Sequence, residues 1–207
     1  AQPRGGAGGR IGLVGRNGAG KATPMRVPAG LAPPAAGHVT RGEVGYLPQD
    51  PSSADGRQSA MVRILSARGL DSATARMNKH AALMEDPQQR HDAMRRYAAA
   101  EAEFLAQGGY AAEAEALAVA DGLGLTPEQL CRPLGTLSGG QRRRVELARI
   151  LFGGGGVLLL DEPTNHLDAD SIGWLRGFLR NYAAGVVVIS HNVELLRDVV
   201  NRVAHVD

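Results

Sequence analysis

An aliphatic run, Ile11-Gly12-Leu13-Val14, leads directly into Gly15-Arg16-Asn17-Gly18-Ala19-Gly20-Lys21-Ala22-Thr23. This is the spacing G-x-x-x-x-G-K between a strand-like and a helix-like segment. Glycines there let backbone N–H groups converge on phosphate oxygens with no Cβ in the way. A following helix N-terminus adds partial positive charge, and Lys21 reaches toward the β- and γ-phosphates. The spacing predicts a nucleotide site lined by Gly15, Asn17, Gly18, Gly20, Lys21, Ala22 and Thr23. One part of it is altered. The residue after the lysine ordinarily supplies a hydroxyl to Mg²⁺, and Ala22 has none. Thr23 is no simple substitute, because successive helical residues point about 100° apart. Pro24 falls in a first helical turn, where a missing N–H is tolerated. Pro28 lies a turn further, where an interior proline costs about 3 kcal/mol. Nucleotide binding with impaired Mg²⁺ positioning and turnover is the expectation.

Four further groups follow in order. Gln49 lies in Tyr46-Leu47-Pro48-Gln49-Asp50. Leu137-Ser138-Gly139-Gly140-Gln141 precedes a run whose apolar face is Val145, Ala148, Leu151 and Phe152, so its backbone N–H groups make a second anion site at a helix start. Val157–Leu160 ends in Asp161-Glu162, two carboxylates that an extended chain would point to opposite faces and hence to different roles. Val186–Ile189 ends in Ser190-His191.

The elements that must position these residues are legible in outline. Ile11–Val14, Val44–Leu47, Val157–Leu160 and Val186–Ile189 are strand-sized. The last two are apolar throughout, as in parallel strands covered on both faces. Between the second and third lies a stretch from Ser59 to Phe152, rich in Ala, Leu, Glu and Arg. It predicts helices broken at Asp86-Pro87, Gly108-Gly109, Gly122 to Gly124 and Pro133 to Gly135. The fold expected is α/β with a mostly parallel sheet and an inserted helical subdomain.

Composition narrows the classes. Hydrophobic residues at 43% and charged residues at 21% exclude a disordered or fibrous chain. A net charge of +2 is too small to argue for nucleic acid. Cys131 is a lone cysteine, so no internal disulfide forms and a reducing compartment, the cytoplasm, is expected. No apolar run approaches the ~20 residues of a membrane span. The missing initiator Met and a last residue, Asp207, just after an apolar-patterned segment point to a fragment of something longer.

Taken in order, these motifs resemble those of the ABC ATPases, and the resemblance runs from Arg10 to Asp207. It implies a P-loop NTPase core that binds ATP and Mg²⁺. By the same resemblance Glu162 is the general base, His191 the switch histidine on the γ-phosphate, and Gln49 the glutamine sensing Mg²⁺ and the attacking water. Asp161 with Gln49 would serve the metal, and Asp168 would be the D-loop aspartate. Ser138, Gly139, Gly140 and Gln141 would contact nucleotide held by an opposing domain, so the expected partner is a second ABC ATPase domain, as a tandem half or in a homodimer. Glu162-Pro-Thr-Asn-His-Leu-Asp168 resembles the ABC-F family, soluble proteins that act on ribosomes, whereas transport ATPases commonly have Ser-Ala at positions 165 and 166. The long interval from Gln49 to Ser138 agrees, because ABC-F proteins carry a helical arm there.

The implied division is residues 1–58 and 137–207 for the two parts of the ATP-binding core and 59–136 for the helical subdomain, with an arm at 85–120. Within it Met94, Tyr97, Ala98, Phe104 and Leu105 form the expected seam, and Arg90, Arg95 and Arg96 could meet rRNA or tRNA phosphates. Glu85, Asp86, Asp92, Glu101 and Glu103 outweigh those arginines, which equally suits a solvated packing helix. Arg142, Arg143 and Arg144 flank the signature and read as structural. The family's adenine-stacking aromatic is missing, since no aromatic precedes Tyr46. Ribosome-linked ATP hydrolysis is therefore set beside an ABC transporter ATPase subunit and a hydrolysis-impaired interaction module.

Overall fold

The computed structural model describes residues 8–14, 25–34, 36–40, 42–48 and 56–205. Among these residues five strands form one parallel sheet in the order β2-β3-β4-β1-β5. They are β1 (Arg10–Val14), β2 (Val44–Leu47), β3 (Val157–Asp161), β4 (Val186–Ile189) and β5 (Arg202–His205). The four strand-like runs of the sequence are all present. β5 was not foreseen as a strand: Arg202-Val203-Ala204-His205 is mostly exposed on a sheet edge and carries no apolar run. It is placed by pairing with β1, Ile11 opposite Arg202 through Val14 opposite His205.

Among the described residues the helices are α1 (Ala60–Leu65), α2 (Leu70–Leu83), α3 (Arg90–Ala106), α4 (Gly109–Gly122), α5 (Pro127–Cys131), α6 (Gly139–Gly153), α7 (Ala169–Asn181) and α8 (Val193–Val199). Several of their starts are marked by side-chain caps. Thr126 and Gln129 close a capping box with Pro127 in the first turn, and Asn192 caps α8 through Leu195 N. Gly108 adopts φ 75° between α3 and α4, a left-handed conformation that suits glycine.

The central strands β3 and β4 are buried on both faces. Leu158 and Leu160 join Leu47, Val186, Val188 and the helices in the large core. Leu159, between them, packs with Met25 and Ile189 on the other side. This alternation explains why β3 is apolar up to Leu160, with Asp161 at its carboxyl end. α6 is buried through Val145, Leu147, Ala148, Ile150, Leu151 and Phe152, wider than the predicted stripe.

The helical region differs from expectation in one respect. α2 and α3 form a hairpin, and Phe104 is buried as expected, but the other buried positions of α3 are Ala93 and Ala100, while Met94, Ala98 and Leu105 are exposed. Small alanines on the seam let the helix axes approach, and larger apolar residues remain outside. Of residues 85–120, those in α3 lie mainly against α2, and Phe104 of α3 joins Ala112, Ala116, Val119 and Ala120 of α4 in the large core. Pro28 also departs from its predicted setting. Helical backbone is described at Met25 and Arg26, and residues 27–30 form a turn, so Pro28 does not occupy a helix interior.

Candidate functional site

Because every strand pairing is parallel, the residues following β2, β3 and β4 emerge at one edge of the sheet. Ligands of open α/β sheets bind outside such carboxyl ends. Asp161 closes β3 and is buried, 4% exposed, opposite Ile189 of β4. Its charge lies close enough to Tyr46 to act on it: burial first, then Asp161, hold the Tyr46 phenol above its ordinary pKa.

Glu162 leaves the strand with φ 48°, a left-handed conformation that is strained for a residue with a Cβ. Strict strand alternation therefore does not govern where its side chain goes, and the expected opposition of two strand faces is replaced by a turn. Its N–H donates to Ile189 O at 2.8 Å. Its carboxylate turns toward the end of β4. Oε2 accepts from the His191 backbone N–H at 3.3 Å, and His191 Nε2 lies 3.4 Å from Oε1. Oε1 is buried without a hydrogen bond, whereas the His191 ring is 66% exposed. Ser190 Oγ accepts from Asn192 N at 3.1 Å and lies 3.4 Å from Thr164 Oγ1, so the loops after β3 and β4 are tied together. A buried carboxylate oxygen that accepts no hydrogen bond, beside a solvent-facing imidazole, can take a proton from a water that approaches it from the open side.

The signature segment is a helix cap. Ser138 Oγ accepts from Gln141 N at 3.2 Å, and Gln141 Oε1 accepts from Ser138 N at 2.9 Å. Ser138 and Gly139 are exposed. A Cβ on Gly139 would meet nothing, but one on Gly140 would come within 3.3 Å of His166 Cβ. His166, at φ 69°, thus packs against the start of α6, and Arg144 Nε donates to its carbonyl at 2.9 Å. Asp168 caps α7 through Ser171 N at 2.9 Å, and that backbone N–H, helped by the Ser171 side chain, holds its carboxyl below the usual range.

Sequence reasoning placed Arg142–Arg144 as structural flank and missed how specific one of them is. Arg143 is 6% exposed and donates to Pro48 O, Asp161 O and Glu162 O at 3.0, 2.7 and 3.1 Å. The available signal was its helical spacing, on the face shared with Leu147, Ile150 and Leu151. Gly15, Asn17, Gly18, Gly20, Lys21, Ala22, Thr23 and Gln49 lie outside the described residues.

Residues 6–165 match the family model described as ABC transporter. The chain belongs to the ABC ATP-binding domain family. Among similar curated proteins, the tylosin resistance ATP-binding protein TlrC of Streptomyces fradiae is 37% identical over 204 residues, covering 96% of this chain and 37% of TlrC. The uncharacterized ABC transporter ATP-binding protein YfmR of Bacillus subtilis is 36% identical, over 94% of this chain and 31% of its own. The energy-dependent translational throttle protein EttA of Escherichia coli K12 is 34% identical, over 97% and 36%. The domain thus spans about a third of these relatives' length. In fold it is similar to an ATP-binding subunit of an ABC transporter (TM-score 0.68, 18% identity, 97% of this chain and 75% of that one). It is also similar to an ABC cassette solved as a dimer with ADP and Pi (TM-score 0.64, 18% identity, 99% and 83%).

ABC ATPases bind ATP with Mg²⁺, hydrolyse it and work as paired domains. The described residues suit that chemistry. Asp161 is a hard oxygen donor at the sheet edge, and no group of three or more His, Cys, Asp or Glu among the described residues forms a metal cage. Mg²⁺ characteristically takes one or two carboxylates and fills its shell with water and phosphate oxygens.

Proposed function

We propose that this domain hydrolyses ATP at the carboxyl edge of the sheet as part of an ABC-F protein, coupling nucleotide turnover to engagement with the ribosome. The observation that carries the catalytic half is the meeting of Glu162 and His191 at adjacent strand ends. In this reading Glu162 is the general base, His191 and Gln49 orient the γ-phosphate and water, and Asp161 with Gln49 serves Mg²⁺. Gly15, Asn17, Gly18, Gly20, Lys21, Ala22 and Thr23 hold the phosphates. Ser138 to Gln141 serve the nucleotide of an opposing domain, with Asp168 between the two sites. The helical subdomain at 59–136, with its arm at 85–120, faces the ribosome in the cytoplasm.

The ABC-F half is supported by Asn165-His166 and by similarity to EttA. No described helix is long and apolar enough to cross a membrane. A transporter ATPase subunit is the second reading, supported by the family description and by the fold likeness to such a subunit. Co-sedimentation separates them. ATP-dependent pelleting with ribosomes, strengthened by Glu162→Gln, is the expected result; co-purification with a permease and no pelleting overturns the ribosomal reading.

Turnover is expected to be low because Ala22 offers no hydroxyl to Mg²⁺. Ala22→Thr should raise single-turnover hydrolysis by about tenfold or more, the equivalent of ~1.4 kcal/mol. An unchanged rate removes Ala22 as the cause.

A further inference from the structure

Arg143 places a guanidinium, 6% exposed, one turn inside α6. Burying a cation is costly unless its donors are satisfied, so a guanidinium retained there must meet acceptors that packing alone would not supply. The acceptors are backbone carbonyls at two strand ends: Pro48 O just after β2, Asp161 O at the end of β3, and Glu162 O beyond it. Carbonyls at such ends run out of sheet partners and need donors from elsewhere. A planar fork with five N–H groups can reach three carbonyls at once, whereas an ammonium on a flexible stem concentrates its donors at one point.

Glu162 gives this grip a consequence. Its left-handed backbone, φ 48°, persists only where the surroundings over-determine it. Its N–H is held by Ile189 O at 2.8 Å and its carbonyl by Arg143 Nη2 at 3.1 Å. With the peptide planes before and after the Cα both fixed, the direction of the Cα–Cβ bond is fixed as well. That direction carries the carboxylate to the His191 N–H at 3.3 Å.

We propose that Arg143 is a positioning residue: it clamps the ends of β2 and β3 to α6 and thereby aims the Glu162 carboxylate. Its hydrogen bonds to Pro48, Asp161 and Glu162 all go to backbone carbonyls, so a displacement of α6 is passed to Glu162 by this side chain. The inference rests on the ATPase reading for its kinetic consequence, but its structural content is independent of that reading.

The test compares the full chain with Arg143→Lys and Arg143→Met in steady-state ATP hydrolysis and in backbone amide exchange. The lysine variant keeps the charge and loses the fork. It should lower kcat on the order of 100-fold, as expected for a misaimed base, and leave KM for ATP within about twofold. Exchange should quicken at residues 161–167, with α4 and α5 unchanged. Unaltered kcat in both variants overturns the proposal, as does a kcat loss matched by faster exchange throughout the domain. If the parent chain hydrolyses no ATP, the ATPase reading fails, and exchange alone decides: local quickening at 161–167 upholds the clamp, and unchanged exchange there overturns it.

Discussion

Glu146 of α6 and Asp92 of α3 are each a carboxylate between two arginines, yet they do different things for the molecule. Glu146 takes Arg63 of α1 at 2.5 Å and Arg149 at 2.9 Å, with a side chain only 13% exposed. Asp92 takes Arg95 and Arg96, both at 2.8 Å and both in its own helix, with all three side chains largely in solvent. Burial works to raise the Glu146 pKa, but the Arg63 and Arg149 hydrogen bonds and charges outweigh it and leave the carboxyl below its ordinary 4.5. At Asp92 the Arg95 hydrogen bond lowers the pKa with little burial to oppose it. The first arrangement joins two elements and stands in for water; the second decorates one helix that water would solvate anyway. Equal charge patterns in sequence therefore have unequal worth, and the difference is set by which element supplies the partner.

Glu162 extends the comparison to a carboxylate that contacts His191 and leaves Oε1 without a hydrogen bond. Glu162→Gln should have the largest effect, lowering hydrolysis by about 100-fold or more while the urea midpoint holds. Single-turnover kinetics beside equilibrium unfolding check this, and a stability loss equal to that of a Glu146 variant would erase the distinction between the two.

Glu146→Gln should instead cost roughly 1–2 kcal/mol of stability at neutral pH. Its folded pKa is depressed, so its contribution is fully present above the ordinary 4.5 and fades as pH falls through the folded value. Urea unfolding of both proteins across that range should bring their midpoints together at acid pH. A gap that stays constant on acidification would mean the ion pair is not its source. Thr126→Ala, removing a cap in neither region, should cost about 1 kcal/mol and give the scale for a local device. The smallest effect belongs to Asp92→Asn, whose unfolding midpoint should match the parent's at low and high salt. A salt-sensitive loss would give the hairpin a role for its charges that its geometry does not predict.

Local patterns made much of the domain legible. Strand-sized runs identified β1 to β4, the last two of them continuously apolar, and the glycine and proline breaks separated the helices, because both signals reside in neighbouring residues. The end of β3 was readable as a carboxylate site for the same reason. β5 was not, since its exposed Arg202-Val203-Ala204-His205 acquires strand geometry only by pairing with β1. The α3 seam was misplaced onto Met94 and Leu105 because hydrophobicity marks what favours burial, while close helix approach selected Ala93 and Ala100.

By itself the sequence determined the order of the motifs along the chain, the strand runs, the helix breaks and the altered position at Ala22. Tertiary structure alone decided that His191 closes on Glu162, that His166 packs on Gly140, and that Arg143 spans two strand ends. The physical reason is separation. Breaks and runs are fixed by residues a few positions apart, whereas Arg143 meets Pro48 across 95 positions and Glu162 meets His191 across 29, contacts that exist only once the parallel sheet has gathered its carboxyl ends.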